Sequence, residues 1–140
     1  VLNANYIKAR LEDLMSPAFP DGPCMHEALF DDEWLKGTDL TTLDFAKAMI
    51  DEGFHPMTMY FPLVVHGAML IEPTETESKQ ELDRFIHAMR LLAEAAKAGD
   101  VERFKGAPFH APLRRLDETR AARSPRLRWS APEGSNIAAE

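Results

Sequence analysis

The segment from residue 75 to residue 98 constrains the fold most strongly, because its apolar residues recur with the period of a helix. The apolar stripe consists of Leu82, Phe85, Ile86, Met89, Leu92, Ala93 and Ala96. A stripe this wide has to be buried against another layer of secondary structure. Thr74 with Glu77 three residues later predicts a capping box at the start of this helix, and Gly99 predicts its end. A further helical turn is predicted over residues 100–105.

Two shorter helices are predicted earlier in the chain, over residues 3–15 and 41–52, because apolar residues fall on one helical face. Pro17 ends the first of them, since the residue before a proline avoids the α region. Either Thr41 or Asp39 can cap the second helix, and Thr41 with Asp44 three residues later has the pattern of a capping box.

Apolar runs bounded by turn residues predict strands over residues 25–30 and 68–71. The stretch between them, residues 54–65, is also rich in strand-forming types, but Pro62 argues that it is not a central strand. The predicted order is therefore α-β-α-β-β-α, with helices on one face of a short, mostly antiparallel sheet. This pattern indicates a two-layer α+β domain.

Charge and proline divide the chain into a body, residues 1–106, and a tail, residues 107–140. The body carries 10 basic and 19 acidic residues, whereas the tail carries six arginines against four acidic residues. Prolines recur in the tail and the apolar periodicity fades, which predicts an extended segment with little core of its own. We expect this basic tail to pack on a domain or subunit outside these 140 residues.

The net charge of −7 and the isoelectric point near 5.2 argue against anionic partners. Surfaces that bind nucleic acid or adhere to anionic membranes are usually basic. No apolar run approaches the roughly 18 residues of a membrane-spanning helix, and no secretory signal pattern is visible. The single cysteine, Cys24, excludes an internal disulfide, so a reducing, cytoplasmic location is predicted.

The sequence contains no recognisable complete catalytic apparatus. The five histidines form no His-Glu-x-x-His pair and there is no Cys-x-x-Cys motif, so no metal site is expected. The nucleophile elbow of hydrolases and the glycine-rich phosphate loop are also missing. Cys24 lies two residues before His26, yet the simpler interpretation is a small, half-buried thiol at the entrance to a strand.

One segment that combines polar with bulky apolar residues spans residues 53–62. It places His55, Thr58 and Tyr60 among large apolar neighbours, and two prolines stiffen its backbone. Such a mixture is typical of a small-molecule site. The alternative for His55 is a core histidine whose hydrogen bonds are satisfied internally.

A second such segment spans residues 70–77, where polar residues follow an apolar strand and lead into the longest predicted helix. Glu72 and Thr74 are its candidate ligand-contacting residues. Strand exit and helix capping are the alternative explanations for these two positions.

Both segments resemble the P-protein of the glycine cleavage system, glycine dehydrogenase (decarboxylating). The resemblance rests on Gly-Phe-His-Pro-Met-Thr-Met-Tyr-Phe-Pro at 53–62 and on Met-Leu-Ile-Glu-Pro-Thr-Glu-Thr-Glu at 69–77. Further similar motifs are Asn-Ala-Asn-Tyr at 3–6, Met-His-Glu at 25–27, Lys-x-Glu-Leu-Asp-x-Phe at 79–85 and Arg-Arg-Leu-Asp-Glu-x-Arg-Ala at 114–121. They cover nearly the whole chain in order, and the tail resembles the second subunit of the two-subunit bacterial form.

The resemblance implies the fold of type I enzymes that use pyridoxal phosphate, in which a small C-terminal α+β domain follows a large cofactor-binding domain. This chain would be the small domain plus its tail. The implied reaction releases CO2 from the substrate glycine and passes the aminomethyl group to the lipoyl arm of the H-protein. The implied partners are the missing large domain, the other P-protein subunit and the lipoylated H-protein.

The resemblance also places the Schiff-base lysine in the large domain, so no catalytic residue is carried over to this chain. The chain alone is expected to be inactive and to lack covalently bound pyridoxal phosphate. Its expected contribution is a wall of the active-site cleft, for which His55, Thr58, Tyr60, Glu72 and Thr74 are the candidates. Two alternatives stay open: a stand-alone, non-enzymatic α+β interaction module, and the equivalent domain of another type I enzyme.

Overall fold

The computed structural model describes residues 1–131 and contains the predicted elements in the predicted order. The helices are α1 (Leu2–Leu11), α2 (Thr42–Asp51), α3 (Lys79–Lys97), α4 (Val101–Lys105) and α5 (Glu118–Arg123). The strands are β1 (Ala28–Phe30), β2 (Thr58–Met59) and β3 (Met69–Ile71), and a 3-10 turn at Glu33–Leu35 follows β1. The predicted α+β class is confirmed. The tail is not extended throughout, because α5 forms within it.

Helices α2 and α3 both begin at side-chain caps, one of which the sequence pattern misplaces. Thr41 and Asp44 exchange reciprocal hydrogen bonds, so the capping box predicted for α2 is confirmed. Helix α3 is capped instead by Ser78, whose side chain accepts a hydrogen bond from the backbone N–H of Glu81. The prediction of Thr74 as the cap is wrong, because residues 75–77, between Thr74 and Ser78, include no apolar side chain that a helix could bury.

The three strands form one antiparallel sheet in the order β1-β3-β2, so β3 is central. Phe30 pairs with Met69 across β1 and β3, and Thr58 pairs with Leu70 across β2 and β3. Strand β2 is a two-residue edge strand, as expected from the proline that follows it at position 62. Strand β1 begins later than predicted, since only the last three residues of the predicted strand, residues 28–30, pair with β3.

The core lies between the sheet and the apolar faces of the helices. Its largest fully buried apolar side chains are Ile7, Leu11, Phe30, Phe45, Met49, Met69, Met89, Leu92 and Phe104. Phe45 stacks on Phe104 with 6.2 Å between ring centroids, and Trp34 meets Phe45 edge-on at 5.1 Å. Within residues 1–131, no helix combines the length and the apolar character needed to cross a membrane.

Hydrogen bonds fasten the first residues of the tail to the body. The backbone N–H of Phe109 donates to both carboxylate oxygens of Asp51, at 2.8 and 2.7 Å. Arg115 Nη1 lies 2.8 Å from Oδ1 of the buried Asp44. Most of the tail beyond these contacts is exposed up to residue 131, and residues 132–140 of the predicted tail lie outside the described residues. The boundary between body and tail stays a prediction.

Candidate functional site

A groove of about 430 Å³ collects most of the residues that the sequence singles out. Its walls are the segment after α2, strands β2 and β3, the loop after β3 and the first turns of α3. Four of the five predicted site residues line it, namely His55, Thr58, Glu72 and Thr74. The other lining residues are Ile7, Phe54, Pro56, Met57, Leu70, Ile71, Pro73, Glu77, Glu81, Leu82 and Phe85. Apolar side chains with a few convergent polar groups are typical of small-molecule sites.

His55 reaches the groove because the chain turns sharply at the end of α2. Gly53 has a φ of 84°, in the left-handed region that disfavours residues with a Cβ atom. Phe54 then packs edge-on against Phe85 of α3, with 5.5 Å between the ring centroids. This contact anchors the segment and leaves His55 exposed, so the alternative of a core histidine is wrong.

Glu72 and Thr74 lie where the chain leaves β3 and turns towards α3. The side-chain amide of Asn3 donates a hydrogen bond to the backbone carbonyl of Thr74 at 2.8 Å, which ties this loop to α1. The hydroxyl oxygens of Thr74 and Thr76 lie 2.7 Å apart, so the loop is also bonded internally. Glu72 and Thr74 are both exposed to solvent, and both contribute to the groove wall.

Tyr60 is the predicted site residue that the structure does not bring to the groove. It follows β2 with a φ of 58°, a left-handed conformation that is uncommon for a bulky residue. Its hydroxyl oxygen accepts a hydrogen bond from the backbone N–H of Leu43 at 3.2 Å. Tyr60 therefore contacts the first turn of α2, away from the other four candidates.

The charged groups that line the groove are mostly acidic. Glu72, Glu77 and Glu81 contribute carboxylates, and among residues 1–131 His55 is the only lining residue with a basic side chain. A wall with this balance of charge repels carboxylate and phosphate groups. An anionic group of any ligand in this groove therefore has to be bound by residues other than these.

The lysines of the chain, all six of which lie within residues 1–131, are absent from the groove lining. The buried one, Lys8, donates hydrogen bonds to the backbone carbonyls of Phe19, Pro20 and Gly22 at 2.8 to 3.1 Å. Pyridoxal phosphate needs a lysine for its Schiff base and an anion-binding site for its phosphate. The groove residues of this chain do not fit that cofactor by themselves.

A surface cluster of one imidazole and two carboxylates adjoins the groove at Glu72. His26 Nε2 lies 2.7 Å from Glu27 Oε1 and 3.9 Å from Glu72 Oε1. The three possible ligand atoms lie within 4.8 Å of one another. The sequence does not indicate this cluster, because Glu72 is remote from His26 along the chain. Three ligands fall short of the four that a structural zinc site takes from the protein.

Cys24 is half-buried and packs against the core, in agreement with its interpretation as a small apolar side chain. The side-chain amide of Asn5 donates to the Cys24 carbonyl at 2.8 Å and accepts from the Cys24 N–H at 2.8 Å. These two bonds fix the backbone of the loop to α1. Within residues 1–131, Cys24 is not among the residues that line the groove.

Ile7, Glu81 and Phe85 also line the groove, although the sequence does not single them out. Ile7 and Phe85 belong to apolar helical stripes, and a stripe alone does not distinguish a groove floor from a core. The sequence does offer one signal for Glu81 and Phe85. They are four residues apart, so they share a face of α3, and a carboxylate on the same face as an aromatic ring indicates a surface that is not purely core.

Residues 1–113 match the family described as the C-terminal domain of glycine dehydrogenase. The probable glycine dehydrogenase (decarboxylating) subunit 2 of Caulobacter vibrioides is 83% identical over 140 residues, which is 100% of this chain. Proteins of the same name from Kosmotoga olearia and Caldanaerobacter subterraneus are 50% and 49% identical, over 92% and 93% of the chain. The chain spans about a quarter of the length of these relatives, 27% of the first and 26% of the other two.

Proposed function

The chain belongs to the glycine dehydrogenase C-terminal domain family, and we propose that it forms one wall of the active-site cleft of a glycine decarboxylase dependent on pyridoxal phosphate. The complete enzyme would release CO2 from glycine and pass the aminomethyl group to the lipoyl arm of the H-protein. One observation carries the proposal for this chain. His55, Thr58, Glu72 and Thr74 come from segments on both sides of β3 and converge on a single groove.

The groove residues can bind and orient a small substrate without supplying the reacting cofactor. The imidazole of His55 and the hydroxyl of Thr58 can each donate and accept hydrogen bonds. The apolar floor contributed by Met57, Leu70 and Phe85 excludes water from one side of the cleft. We assign these residues positioning roles and no bond-breaking step.

We place pyridoxal phosphate outside this chain, in the part of the enzyme that corresponds to the remaining length of the relatives. The acidic lining of the groove and the absence of lysine from it support this placement. When bound, the cofactor supplies an electron sink for the loss of CO2. The 140-residue chain alone is accordingly proposed to be inactive towards glycine.

The partners proposed for the chain are the large domain, the other subunit implied by the name of the relatives, and the lipoylated H-protein. We propose that the tail, residues 107–140, packs on the large domain or on the other subunit. Leu127 and Trp129 are 92% and 73% exposed, which supports the proposal that another protein surface covers the tail. A cytoplasmic location is proposed from the single cysteine.

Substitution of the groove histidine in the complete enzyme tests the proposal. We expect His55→Ala to lower kcat/KM for glycine at least tenfold, and Thr58→Ala to lower it severalfold, because both remove groups that orient the substrate. His87→Ala, an exposed histidine of α3 outside the groove, is the matched control and should leave the kinetics unchanged. Wild-type kinetics for both groove variants, with normal folding, would contradict the assignment.

The alternative of a stand-alone interaction module is not favoured by the comparisons. The three relatives described above carry the name of an oxidoreductase subunit, and each aligns with more than nine tenths of the chain. The same names argue against another type I enzyme. Binding of an unrelated protein by the isolated domain, without any effect of groove variants on glycine turnover, would restore the module alternative.

A further inference from the structure

The Asn-Ala-Asn-Tyr motif at residues 3–6 joins the start of α1 to two loops of the chain. The side-chain amide of Asn3 donates a hydrogen bond to the backbone carbonyl of Thr74 at 2.8 Å. The side-chain amide of Asn5 exchanges two hydrogen bonds with the backbone of Cys24, each 2.8 Å long. Of these two backbone partners, Thr74 lines the groove and Cys24 does not. The two asparagines therefore do similar structural work, but only Asn3 acts on the groove wall.

The loop that Asn3 contacts has little buried surface to hold it in place. We call residues 72–77 the β3–α3 loop, because they connect these two elements. Pro73 is half-buried, and the other five side chains of the loop are exposed. Yet Glu72, Thr74 and Glu77 all contribute to the groove wall. A segment with so few buried apolar contacts opens easily unless hydrogen bonds fix it.

The amide of Asn3 supplies the hydrogen bond that fixes this loop to the rest of the domain. In the part of the chain that the structure describes, no other hydrogen bond connects the β3–α3 loop to another element. The bonds that join Thr74 to Thr76 and to Glu77 are internal to the loop. The Glu72 carboxylate approaches an imidazole at 3.9 Å, which is too long for a hydrogen bond.

We propose that Asn3 is a positioning residue for the groove, an inference that rests on the function proposed above. Its amide holds the backbone at Thr74, and with it the side chains of Glu72 and Thr74, where a substrate meets them. An amide suits this task because it donates a hydrogen bond without placing a charge beside the carboxylates of the loop. Without the bond, only a fraction of the enzyme molecules has the loop in place, and the apparent affinity for the substrate falls by that fraction.

The test measures glycine decarboxylation by the complete enzyme, with substitutions in the subunit that contains this chain. We expect Asn3→Ala to raise KM for glycine about fivefold and to change kcat by less than twofold. Alanine removes the donor, adds no charge and favours a helix, so α1 itself is not destabilised. Asn3→Gln keeps the amide donor and should give a KM below half of the Asn3→Ala value.

Asn5→Ala is the matched control on the same helix. It removes both hydrogen bonds to the backbone of Cys24, so it should lower the Tm of the subunit more than Asn3→Ala does. Because Cys24 does not line the groove, KM should stay within twofold of wild type. Hydrogen exchange at short labelling times gives a readout that is independent of turnover. Asn3→Ala should speed exchange in residues 74–78, and Asn5→Ala should speed it in residues 22–26.

Three results would overturn the inference. One is a KM for Asn3→Ala within twofold of wild type. Another is an equal rise in KM for Asn5→Ala, which would show that any loosening around α1 has the same effect. The third is a KM for Asn3→Gln as high as that for Asn3→Ala.

The groove substitutions His55→Ala and Thr58→Ala separate this inference from the proposed function. If they lower kcat/KM and Asn3→Ala leaves KM unchanged, only the role of Asn3 fails. If neither of them lowers kcat/KM, the proposed function fails and the role of Asn3 fails with it.

Discussion

Replacement of Asp44 by alanine should loosen the junction between the body and the tail. The Asp44 carboxylate is 4% exposed and accepts hydrogen bonds from the N–H and hydroxyl of Thr41, at 2.9 and 2.8 Å. It also lies 3.1 Å from Lys105 Nζ and 2.8 Å from Arg115 Nη1. One buried side chain thus caps α2 and joins it to α4 and to the start of the tail.

The expected loss in the free energy of unfolding is the sum of the contacts that Asp44→Ala removes. Loss of the capping box costs about 1 kcal/mol of the free energy of unfolding. Lys105 and Arg115 are 39% and 34% exposed and regain water, so each lost ion pair costs about 1 kcal/mol rather than the full cost of a buried charge. The total of about 3 kcal/mol corresponds to a Tm lower by roughly 10 °C. Asp44→Asn, which keeps the acceptor oxygen, should cost about half as much.

Urea denaturation of the 140-residue chain, followed by tryptophan fluorescence, measures these changes. Trp34 reports on this region because it packs on Phe45, the neighbour of Asp44. Asp39→Ala, an exposed carboxylate just before α2, is the control and should stay within about 0.5 kcal/mol of wild type. Equal small effects of the Asp44 and Asp39 substitutions would refute the reasoning.

The lowered pKa of Asp44 makes the free energy of unfolding depend on pH in a predictable way. Burial alone would raise the pKa of Asp44, but hydrogen bonds from Thr41, Lys105 and Arg115 outweigh it and hold the pKa below its ordinary value. Its contribution is therefore complete above the pKa of the unfolded chain, about 4, and is lost as pH falls through the lowered folded pKa. The difference in unfolding free energy between wild type and Asp44→Asn should shrink over that acidic range, and a constant difference would contradict this.

Three further substitutions test other contacts. Lys8→Met removes the donor to three backbone carbonyls and should cost about 2 kcal/mol, with faster hydrogen exchange in residues 18–24, whereas unchanged exchange would contradict that role. The hydrogen bond that the His66 imidazole donates to the Asp32 carboxylate raises the pKa of His66. The pair therefore stabilises the fold below the ordinary histidine pKa, and this contribution is lost as pH rises through the raised pKa. Asp32→Asn should therefore lower the pKa of His66 in an NMR titration, and an unchanged pKa would refute the contact. Gly67→Ala should cost at least about 2 kcal/mol by urea denaturation, because Gly67 has a φ of 56° and its new Cβ would collide with Asp32; near-wild-type stability would argue against this packing.

The parts of the fold that depend on local sequence were predictable. The capping box of Thr41 and Asp44 and the glycine at position 53 act within a few residues, so their patterns locate the ends of α2. The prediction misplaces the cap of α3 because two Ser/Thr-x-x-Glu patterns follow each other, one beginning at Thr74 and the other at Ser78. Only Ser78 stands directly before the part of the helix that carries the apolar stripe.

The candidate site was predictable only in part, because a groove depends on contacts between distant segments. His55 and Thr58 stand in one unusual segment, and Glu72 and Thr74 stand in the next. Their convergence depends on the antiparallel pairing of β2 with β3, which sequence patterns do not specify. Proximity in sequence groups Tyr60 with His55, but the left-handed backbone conformation of Tyr60 separates it from the groove.

The release of labelled CO2 from [1-13C]glycine tests the central claim most directly. The complete enzyme, with this chain as the C-terminal part of one subunit and with pyridoxal phosphate and H-protein present, is compared with the isolated 140-residue chain under the same conditions. The account predicts release by the complete enzyme and none above background by the isolated chain. Release by the isolated chain at a comparable rate, or none by the complete enzyme, would contradict it.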